Sequence, residues 1–202
     1  MEALDSAVEP IFPFLTDFVL RKISSSPGKI TALDLGAGTG LWAKNLLAAG
    51  VKRVLVLDPD FYHLIHGHSK IPALSWQRSR FFAIQGRAEE IPFKNSSINL
   101  VVSRNSMHLW NNIPEGWREI SRILAPGGTA FIGRGFGPSI DPDTRQMVKE
   151  NRKRVSTGET PAKEPDSPLG EEALNFAAKA GLISAEVVPD TKSYWVLAKK
   201  PL

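Results

Sequence analysis

The sequence predicts an α/β domain built on a mostly parallel, seven-stranded sheet that ends in an antiparallel hairpin. Three observations support this prediction. Short apolar runs alternate with segments of helical periodicity, which is the pattern of strand–helix–strand units. The first run leads directly into a glycine-rich turn, and a short segment that begins with Pro189 and Asp190 separates the last two runs, which is typical of a hairpin. Helices are therefore expected on both faces of the sheet.

The composition agrees with one globular domain of 202 residues. Hydrophobic residues make up 42% and charged residues 23%, which argues against the disordered and fibrous classes. The 25 Lys and Arg against 21 Asp and Glu leave a net charge of +4, too small to indicate a nucleic-acid-binding protein. The chain has 0 Cys, which excludes disulfides, zinc knuckles, iron–sulfur clusters and thiol nucleophiles.

The first segment of the chain does not have the pattern of a secretion signal. Glu2 and Asp5 stand where a signal peptide would carry positive charge, and Pro10 and Pro13 interrupt the apolar stretch that follows. No run approaches the roughly 18 apolar residues of a membrane span. We therefore expect a cytoplasmic protein without a membrane span.

The predicted elements follow in chain order. Apolar residues from Ile11 to Val19 recur at helical spacing, and Pro10 or Pro13 opens this first helix. Short buried strands are predicted over residues 30–35, 54–57, 81–84, 98–102 and 129–133. Helices are predicted over residues 41–49, from Phe61 onward, and on the face shared by Trp117, Ile120 and Leu124, with Pro126-Gly127-Gly128 ending the last of them.

The amino-acid composition changes at the start of the C-terminal third. Residues 135–168 are rich in glycine, proline and mixed charges around one predicted helix, residues 144–155, and we interpret them as an insertion or lid on the substrate side. Ser167 and Pro168 open a helix that Gly181 ends, and strands over 183–188 and 194–198 close the chain. With an N-terminal helical cap over residues 1–28, the whole chain, 1–202, is predicted to be a single domain.

A glycine-rich turn follows the first predicted strand. Its sequence is Asp34-Leu35-Gly36-Ala37-Gly38-Thr39-Gly40. Glycines permit a tight turn and let a ligand approach the backbone closely. Asp58 ends the next predicted strand, at an edge of the sheet where a carboxylate can accept hydrogen bonds from both hydroxyl groups of a ribose. The turn and the acid together predict a ligand that contains a ribose.

Three kinds of ligand use turns of this type. A P-loop requires a Lys after the glycines, and none stands at that spacing here. A dinucleotide site requires a small residue where this chain has Leu41. The remaining pattern suits a ligand without phosphate, whose positively charged amino-acid end meets the turn while its ribose meets Asp58.

Further blocks follow in a fixed order. They occupy residues 34–40, 58, 86–93, 97–101, 103–108 and 119–128. In this order they resemble the motifs of class I S-adenosylmethionine-dependent methyltransferases, and most closely the group that contains ubiquinone and menaquinone C-methyltransferases. The resemblance implies a three-layer Rossmann-like sandwich, with S-adenosylmethionine as the methyl donor and S-adenosylhomocysteine as the product. It also implies a set of cofactor-binding residues: Asp34, Gly36, Ala37, Gly38, Thr39, Gly40, Asp58, Pro59, Arg87, Ala88, Glu89, Ser103 and Arg104.

Arg87 departs from the pattern, because the family often has Asp there to accept a hydrogen bond from the adenine amino group. That contact is expected to come from Glu89 or a backbone carbonyl instead. His108 follows the fourth strand, where the transferred methyl group is expected, and is the one candidate for a general base, with a structural, hydrogen-bonded histidine as the alternative. Phe12 and Trp110 are candidate walls of the substrate cavity.

Two other groups of residues invite functional interpretations. His63, His66 and His68 do not share one helical face, so we expect a solvated helix end and no metal site. Basic residues crowd the helix predicted over 144–155, where they would attract an acidic substrate or RNA, but acidic residues of the same segment offset them, so a solvated face is the preferred interpretation. The basic residues are Arg145, Lys149, Arg152, Lys153 and Arg154.

The sequence excludes some classes of methyl acceptor but does not identify the acceptor. Cytosine C5 and arsenite methyltransferases rely on cysteine, which this chain lacks. Amino-methyltransferases of adenine or glutamine carry Asn/Asp-Pro-Pro-Tyr/Phe where this chain has Ser103-Arg104-Asn105-Ser106. A small-molecule acceptor is therefore predicted, without a metal and with nucleic acid disfavoured. The alternatives are a nucleic-acid methyltransferase and a non-catalytic module that binds S-adenosylmethionine.

Overall fold

The computed structural model describes residues 2–68, 80–155, 170–190 and 193–202. Within these ranges the strands are β1 Thr31–Leu35, β2 Arg53–Asp58, β3 Phe81–Gln85, β4 Ile98–Arg104, β5 Leu124–Gly133, β6 Ile183–Asp190 and β7 Ser193–Lys199. The α-helices are α1 Glu2–Val8, α2 Phe12–Arg21, α3 Leu41–Ala48, α4 Phe61–His68, α5 Ile113–Ile123, α6 Pro142–Val155 and α7 Gly170–Lys179. Short 3-10 turns occupy Glu9–Ile11, Pro27–Lys29 and Met107–Leu109.

The strands form one seven-stranded sheet in the order β3-β2-β1-β4-β5-β7-β6. Strands β1 to β5 are parallel, and β7 runs antiparallel to both β5 and β6. The predicted parallel sheet with a closing hairpin is therefore confirmed. The strand order reverses between β1 and β4, so the loops that follow these two strands diverge and leave a crevice at their carboxyl ends.

Each face of the sheet is covered by its own apolar layer. One layer joins α2 and α3 to the sheet, and the other joins α5 and α7 to the opposite face. In the first layer the rings of Phe131 and Trp195 stack with their centroids 4.6 Å apart, and Trp42 meets Trp195 edge-on at 5.8 Å. Truncating such a buried aromatic to Ala costs about 3–5 kcal/mol, so this layer is a rigid support for the crevice.

The alternation of side chains along β1 decides which residues face which layer. Ala32 belongs to the α2/α3 layer, whereas Leu33 and Leu35 belong to the α5/α7 layer. Asp34 is on the same face of the strand as Ala32. Its carboxylate accepts a hydrogen bond from the backbone N–H of Ala43 in α3. The acid of the glycine turn therefore lies on the α2/α3 side of the sheet.

Several boundaries differ from the sequence prediction. Pro189 and Asp190, predicted to separate the last two strands, belong to β6 and pair with Tyr194 and Ser193, and Pro126-Gly127-Gly128 lie within β5. The helix assigned to the face of Trp117, Ile120 and Leu124 ends at Ile123, and Leu124 already begins β5, with φ −61° and ψ 132°. Leu124 pairs with Ile98 across β4 and β5, so strand pairing outweighs the helical spacing that predicted it. The N-terminal cap also contains α1, a helix that the apolar pattern from Ile11 onward does not include.

The segment after β5 contributes α6, and α1 packs against it. Residues 156–168 of the predicted lid, with the helix start assigned to Ser167 and Pro168, lie outside the described residues. Among the helices that the structure describes, none is long and apolar enough to cross a membrane.

Candidate functional site

The three glycines of the turn after β1 have left-handed backbone conformations. Gly36, Gly38 and Gly40 have φ values of 66°, 53° and 72°. A side chain on Gly36 would collide with Ser106, whose Oγ lies 2.6 Å from the position of a Cβ atom. A Cβ on Gly38 would meet no atom within 4 Å. Gly36 is thus required for packing against the turn that follows β4, whereas Gly38 keeps space open beside the backbone.

Asp58 at the end of β2 fastens the glycine turn to the sheet. Its Oδ2 accepts a hydrogen bond from Gly38 N–H at 2.7 Å, and its Oδ1 accepts from Asp60 N–H at 2.9 Å. Nδ1 of His63 in α4 lies 3.3 Å from the same Oδ1. The carboxylate is only 5% exposed. These contacts hold Asp58 beside the glycine turn.

A cavity of about 330 Å³, here called the Asp58 cavity, opens on this side of the glycine turn. Its lining residues are Leu35, Gly36, Gly38, Leu57, Asp58, Pro59, Asp60, His63, Gly86, Arg87, Ala88, Glu89, Asn105, Ser106, Leu109, Trp110 and Asn111. It therefore brings together Pro59, Arg87, Ala88 and Glu89, four of the residues that the resemblance implied. Trp110, assigned from the sequence to a substrate cavity, also lines this one, and its indole N–H donates to Ser106 Oγ at 3.2 Å.

A second cavity of about 280 Å³, here called the Arg104 cavity, lies on the other side of the turn. Its lining residues are Leu4, Asp5, Val8, Phe12, Asp34, Gly36, Ala37, Gly38, Thr39, Leu41, Trp42, Arg104, Asn105 and Arg152. Phe12 thus lines a cavity beside the turn, as expected of a substrate wall. The two cavities share Gly36, Gly38 and Asn105.

Asp34 is the buried acid of the Arg104 cavity, with 3% of its surface exposed. Burial, opposed by the hydrogen bond from Ala43 N–H and assisted by the charge of Asp58, raises its pKa to about 7. Its Oδ2 lies 3.1 Å from the nitrogen of Ala43. A neighbouring positive charge would stabilise the ionised form of this buried carboxyl group and lower its pKa.

Arg104 is the cation of the same cavity. Its Nε donates to the carbonyl of Gly135 at 2.9 Å, and its guanidinium carbon lies 5.6 Å from the centroid of the Phe12 ring. Burial and then the charge of Arg152 lower its pKa to about 10, against the opposing charge of Asp190. Arg104 therefore stays positively charged at neutral pH.

Two of the sequence blocks are joined by side-chain contacts. Glu119 in α5 accepts from Ile91 N–H at 2.7 Å, and Arg122 donates to the carbonyls of Ile91 and Phe93, each at 2.8 Å. The hydrogen bond from Arg122 lowers the pKa of Glu119. This pair fixes the loop after β3, which carries Arg87 to Glu89 into the Asp58 cavity. The Glu89 carboxylate itself accepts from the backbone N–H of Asn112 at 3.0 Å.

Three residues implied by the sequence stand outside both cavities. Ser103 is fully buried, and its Oγ lies 2.5 Å from Ser106 Oγ. Gly40 precedes α3 in a left-handed conformation. His108 is buried in the turn Met107–Leu109 and lines neither the Asp58 cavity nor the Arg104 cavity.

The comparisons with known proteins agree with this geometry. Residues 33–132 match the family model described as a methyltransferase domain. A crystal structure from Methanococcus maripaludis, described as a candidate S-adenosyl-L-methionine-dependent methyltransferase, superposes with a TM-score of 0.81 and 25% identity over 100% of this chain and 90% of that one. The chain belongs to the S-adenosylmethionine-dependent methyltransferase family. The family assignment made from the sequence blocks is thereby confirmed.

Curated relatives of this methyltransferase carry different names. The arginine-hydroxylase NDUFAF5 of Danio rerio is 34% identical over 107 residues, which cover 52% of this chain and 30% of that protein. The chloroplastic 2-methyl-6-phytyl-1,4-hydroquinone methyltransferase of Spinacia oleracea is 27% identical over 119 residues, which cover 58% of this chain and 33% of that protein. These matches therefore span about a third of the relatives' own lengths.

The cavities of the methyltransferase fit the family's cofactor. An adenosine needs an apolar cleft with a carboxylate for its ribose, and the Asp58 cavity has both. A positively charged amino group needs an acid, and Asp34 lies beyond the shared wall. Gly38 lines both cavities, and a Cβ atom there would meet no atom within 4 Å.

Sequence reasoning assigned no site role to several polar residues that line the two cavities, among them Asn105, Asp5, His63 and Arg152. Asn105 has a φ of 57°, a strained value for a residue other than glycine, and its Oδ1 accepts from Gly135 N–H at 3.3 Å. Its place directly after β4, where functional residues gather, was the one available signal. Packing of α1, α4 and α6 brings Asp5, His63 and Arg152 to the crevice. The sequence analysis weighed His63 for a metal site and Arg152 for an acidic ligand, but no spacing placed either beside the glycine turn.

Proposed function

We propose that the protein is an enzyme that transfers the methyl group of S-adenosylmethionine to a small-molecule acceptor. The observation that carries the proposal is the pair of cavities that meet at Gly38, with the ribose-type acid Asp58 on one side and the buried acid Asp34 on the other. S-adenosylmethionine, when bound, supplies a methyl group already activated by its sulfonium, and S-adenosylhomocysteine is the product.

In this proposal each cavity holds one half of the cofactor. Asp58 accepts from the ribose hydroxyl groups, and Pro59 with residues 87–89 borders the adenine. Arg87 cannot accept from the adenine amino group, so a backbone carbonyl of this loop is assigned that contact in place of Glu89, which is engaged with Asn112. Asp34 and the turn from Gly36 to Gly40 receive the amino-acid end.

The protein's own contribution is orientation and exclusion of water, because the leaving group needs no further activation. Phe12 and Val8 give the Arg104 cavity an apolar wall, and α1 and α6 pack together beside it. We assign these elements, the N-terminal cap and the segment after β5, to covering the acceptor. The small volume of the Arg104 cavity, about 280 Å³, supports an acceptor of metabolite size.

The proposal assigns no proton transfer to His108. A general base is needed only when the acceptor atom carries a proton at neutral pH, and such a base must reach that proton. His108 is buried in its turn and lines neither cavity. We therefore assign it the structural role, and His108→Gln is expected to leave the pH profile of methyl transfer unchanged.

The first test of this function is ligand stabilisation. A ligand at 100 times its dissociation constant adds about 2.7 kcal/mol to the free energy of unfolding. S-adenosylmethionine and S-adenosylhomocysteine are expected to raise the melting temperature, and NAD is not. Stabilisation by NAD alone would refute the proposal.

The second test separates an enzyme from a binding module and from a nucleic-acid methyltransferase. The protein is incubated with S-adenosylmethionine and fractionated metabolite pools, and S-adenosylhomocysteine is quantified. Production with a small-molecule fraction supports the proposal. Binding without any production indicates a non-catalytic module, and production only with RNA, at a salt-dependent affinity, indicates the nucleic-acid alternative.

A further inference from the structure

Two arginines line the Arg104 cavity. Arg104 stands at the end of β4, and Arg152 lies in the last turn of α6. Both border the same space, although the chain separates them by the whole of β5 and most of α6. An arginine presents a planar fork of five N–H donors, a geometry that matches a carboxylate.

The rest of the structure fixes Arg104 without neutralising it. The carbonyl of Gly135 takes its Nε–H, and the ring of Phe12 faces its guanidinium. Gly135 is itself held in place, since Asp190 accepts from the next two backbone N–H groups, those of Phe136 and Gly137, at 2.7 and 2.8 Å. Among the described residues, neither Arg104 nor Arg152 forms an ion pair with a carboxylate.

The nearby acids have other partners. Asp190 pairs with Arg145 at 2.8 Å, and Asp5 accepts from the Thr39 hydroxyl at 2.8 Å. Asp34 holds a proton for part of the time near neutral pH, because its pKa is raised to about 7 by burial. Arg104 and Arg152 therefore face one cavity as like charges. A carboxylate between them would replace their repulsion with charge-assisted hydrogen bonds.

The residues that line the cavity indicate what kind of molecule would carry that carboxylate. Arg152 also lines a neighbouring hollow of about 360 Å³, which Phe136, Gln146, Lys149 and Lys153 complete. Basic residues of α6 therefore border both the Arg104 cavity and this hollow. Leu4, Val8 and Phe12 give the Arg104 cavity an apolar lining. A ligand of this cavity is therefore expected to combine an anionic group with an apolar body.

We propose that Arg104 and Arg152 bind the carboxylate of the methyl acceptor, an organic acid with an apolar body. A monoanion is favoured over a phosphate dianion, because Asp5 borders the same cavity and would repel the second charge. The inference rests on the proposed function and specifies its substrate class. The rival source of the same chemistry is the amino-acid carboxylate of S-adenosylmethionine.

The experiment measures binding to the full chain by titration calorimetry, with and without saturating S-adenosylhomocysteine. The probes are phenylacetate and octanoate, each compared with its neutral amide, phenylacetamide and octanamide. Charge-assisted hydrogen bonds are expected to make at least one acid bind about tenfold more tightly than its amide.

Arg152→Gln is the decisive variant, because Arg152 is exposed and its loss leaves the core unchanged. Arg154→Gln is the matched control, since it removes the same charge from the same helix but from a residue that lines neither hollow. Arg152→Gln should abolish the preference for acids, and Arg154→Gln should retain it. An unchanged preference in Arg152→Gln, or no preference in the wild type, overturns the proposal.

A third probe identifies the source of the anion. 5′-Methylthioadenosine lacks the amino-acid end of the cofactor. Arg152→Gln could lower the affinity for S-adenosylhomocysteine about tenfold and leave the affinity for 5′-methylthioadenosine unchanged. In that case the arginine pair binds the cofactor's carboxylate, and the proposal is overturned. If wild-type protein binds neither adenosyl ligand, the proposed function fails, while the titrations of acids on the ligand-free protein still report on the arginine pair.

Discussion

The Asp58 cavity and the Arg104 cavity meet at one glycine but are built in different ways. The Asp58 cavity is lined mainly by strand ends and the short segments that follow them, such as Asp58 at the end of β2 and Ala88 after β3. The Arg104 cavity depends on α1, α2 and α6, which come from both ends of the chain to cover the end of β4. We infer that the first is the generic half of the site, for the nucleoside, and the second is the specific half, for the acceptor.

The largest expected loss of affinity comes from a substitution that affects both cavities at once. Gly38 lines both cavities with a φ of 53° and open space beyond its Cα, so Gly38→Ala should place a methyl group in the ligand's path. We expect the affinity for S-adenosylhomocysteine to fall about 100-fold, measured by titration calorimetry.

Gly50→Ala is the matched control, because Gly50 has a φ of 84°, open space and no place in either cavity. Both variants should lose about 1 kcal/mol of stability from the left-handed backbone, measured by urea unfolding. Only Gly38→Ala should lose the ligand. Equal affinities in the two variants would contradict the shared wall at Gly38.

The next largest effect separates the halves by removing the ribose acid. Asp58→Asn keeps an acceptor for Gly38 N–H but loses the charge, so hydrogen bonds from ribose hydroxyl groups weaken. We expect about a 50-fold loss for S-adenosylhomocysteine and an equal loss for 5′-methylthioadenosine. Asp17→Asn, on the exposed pair with Arg21, is the control. A loss confined to S-adenosylhomocysteine would mean that Asp58 serves the other half.

Asp190 tests the wall of the Arg104 cavity. Although burial raises the pKa of Asp190, hydrogen bonds from Gly137 N–H and Arg145, with the charge of Arg145, lower it below its usual value. A lowered pKa in the folded state means that the carboxylate stabilises the fold above about pH 4 and that this contribution is lost as pH falls through the folded value.

Asp190→Asn should therefore cost about 2 kcal/mol at pH 7 and flatten the acid side of the stability profile, both measured by urea unfolding. Because the variant loosens the loop that holds Arg104, acceptor-side binding should weaken. Affinity for 5′-methylthioadenosine should not change. A parallel loss of that affinity would show that the two halves are not independent.

The smallest effect is a pH dependence from Asp34. Its raised pKa means that the ligand-free fold keeps a proton there, a stabilising contribution that is complete below about pH 4 and is lost as pH rises through about 7. An ammonium group beside Asp34 favours the carboxylate, so cofactor binding releases a proton.

Affinity for S-adenosylhomocysteine should rise about fivefold from pH 6 to pH 7 and level off at about pH 8. The affinity for 5′-methylthioadenosine, which has no amino group, should stay flat. Asp34→Asn should remove the slope for S-adenosylhomocysteine. A slope that persists in Asp34→Asn would assign the linkage to another group.

The contrast between the two cavities also explains which parts of the structure could be predicted from the sequence. The strands and the turn from Gly36 to Gly40 follow from local patterns, because buried parallel strands are short apolar runs and left-handed turns select glycine. Leu124 was misassigned since helical spacing and a strand start look alike over four residues. Strand pairing with Ile98 decided between them.

The Arg104 cavity contains the residues that no local pattern marks. Arg152 was interpreted as part of a solvated face, and the structure shows it bordering the cavity beside Arg104. Asp5 reaches Thr39 because α1 packs against α6, a contact between distant parts of the chain. Long-range packing of this kind leaves no period or spacing in the sequence. Only the tertiary structure reveals it.

The most direct measurement is a crystal structure of the protein with S-adenosylhomocysteine. The account predicts adenosine in the Asp58 cavity, its ribose on Asp58, the thioether crossing at Gly38 and the amino group beside Asp34. A ligand confined to one cavity, or an adenine placed against Arg104, would contradict the two-cavity site.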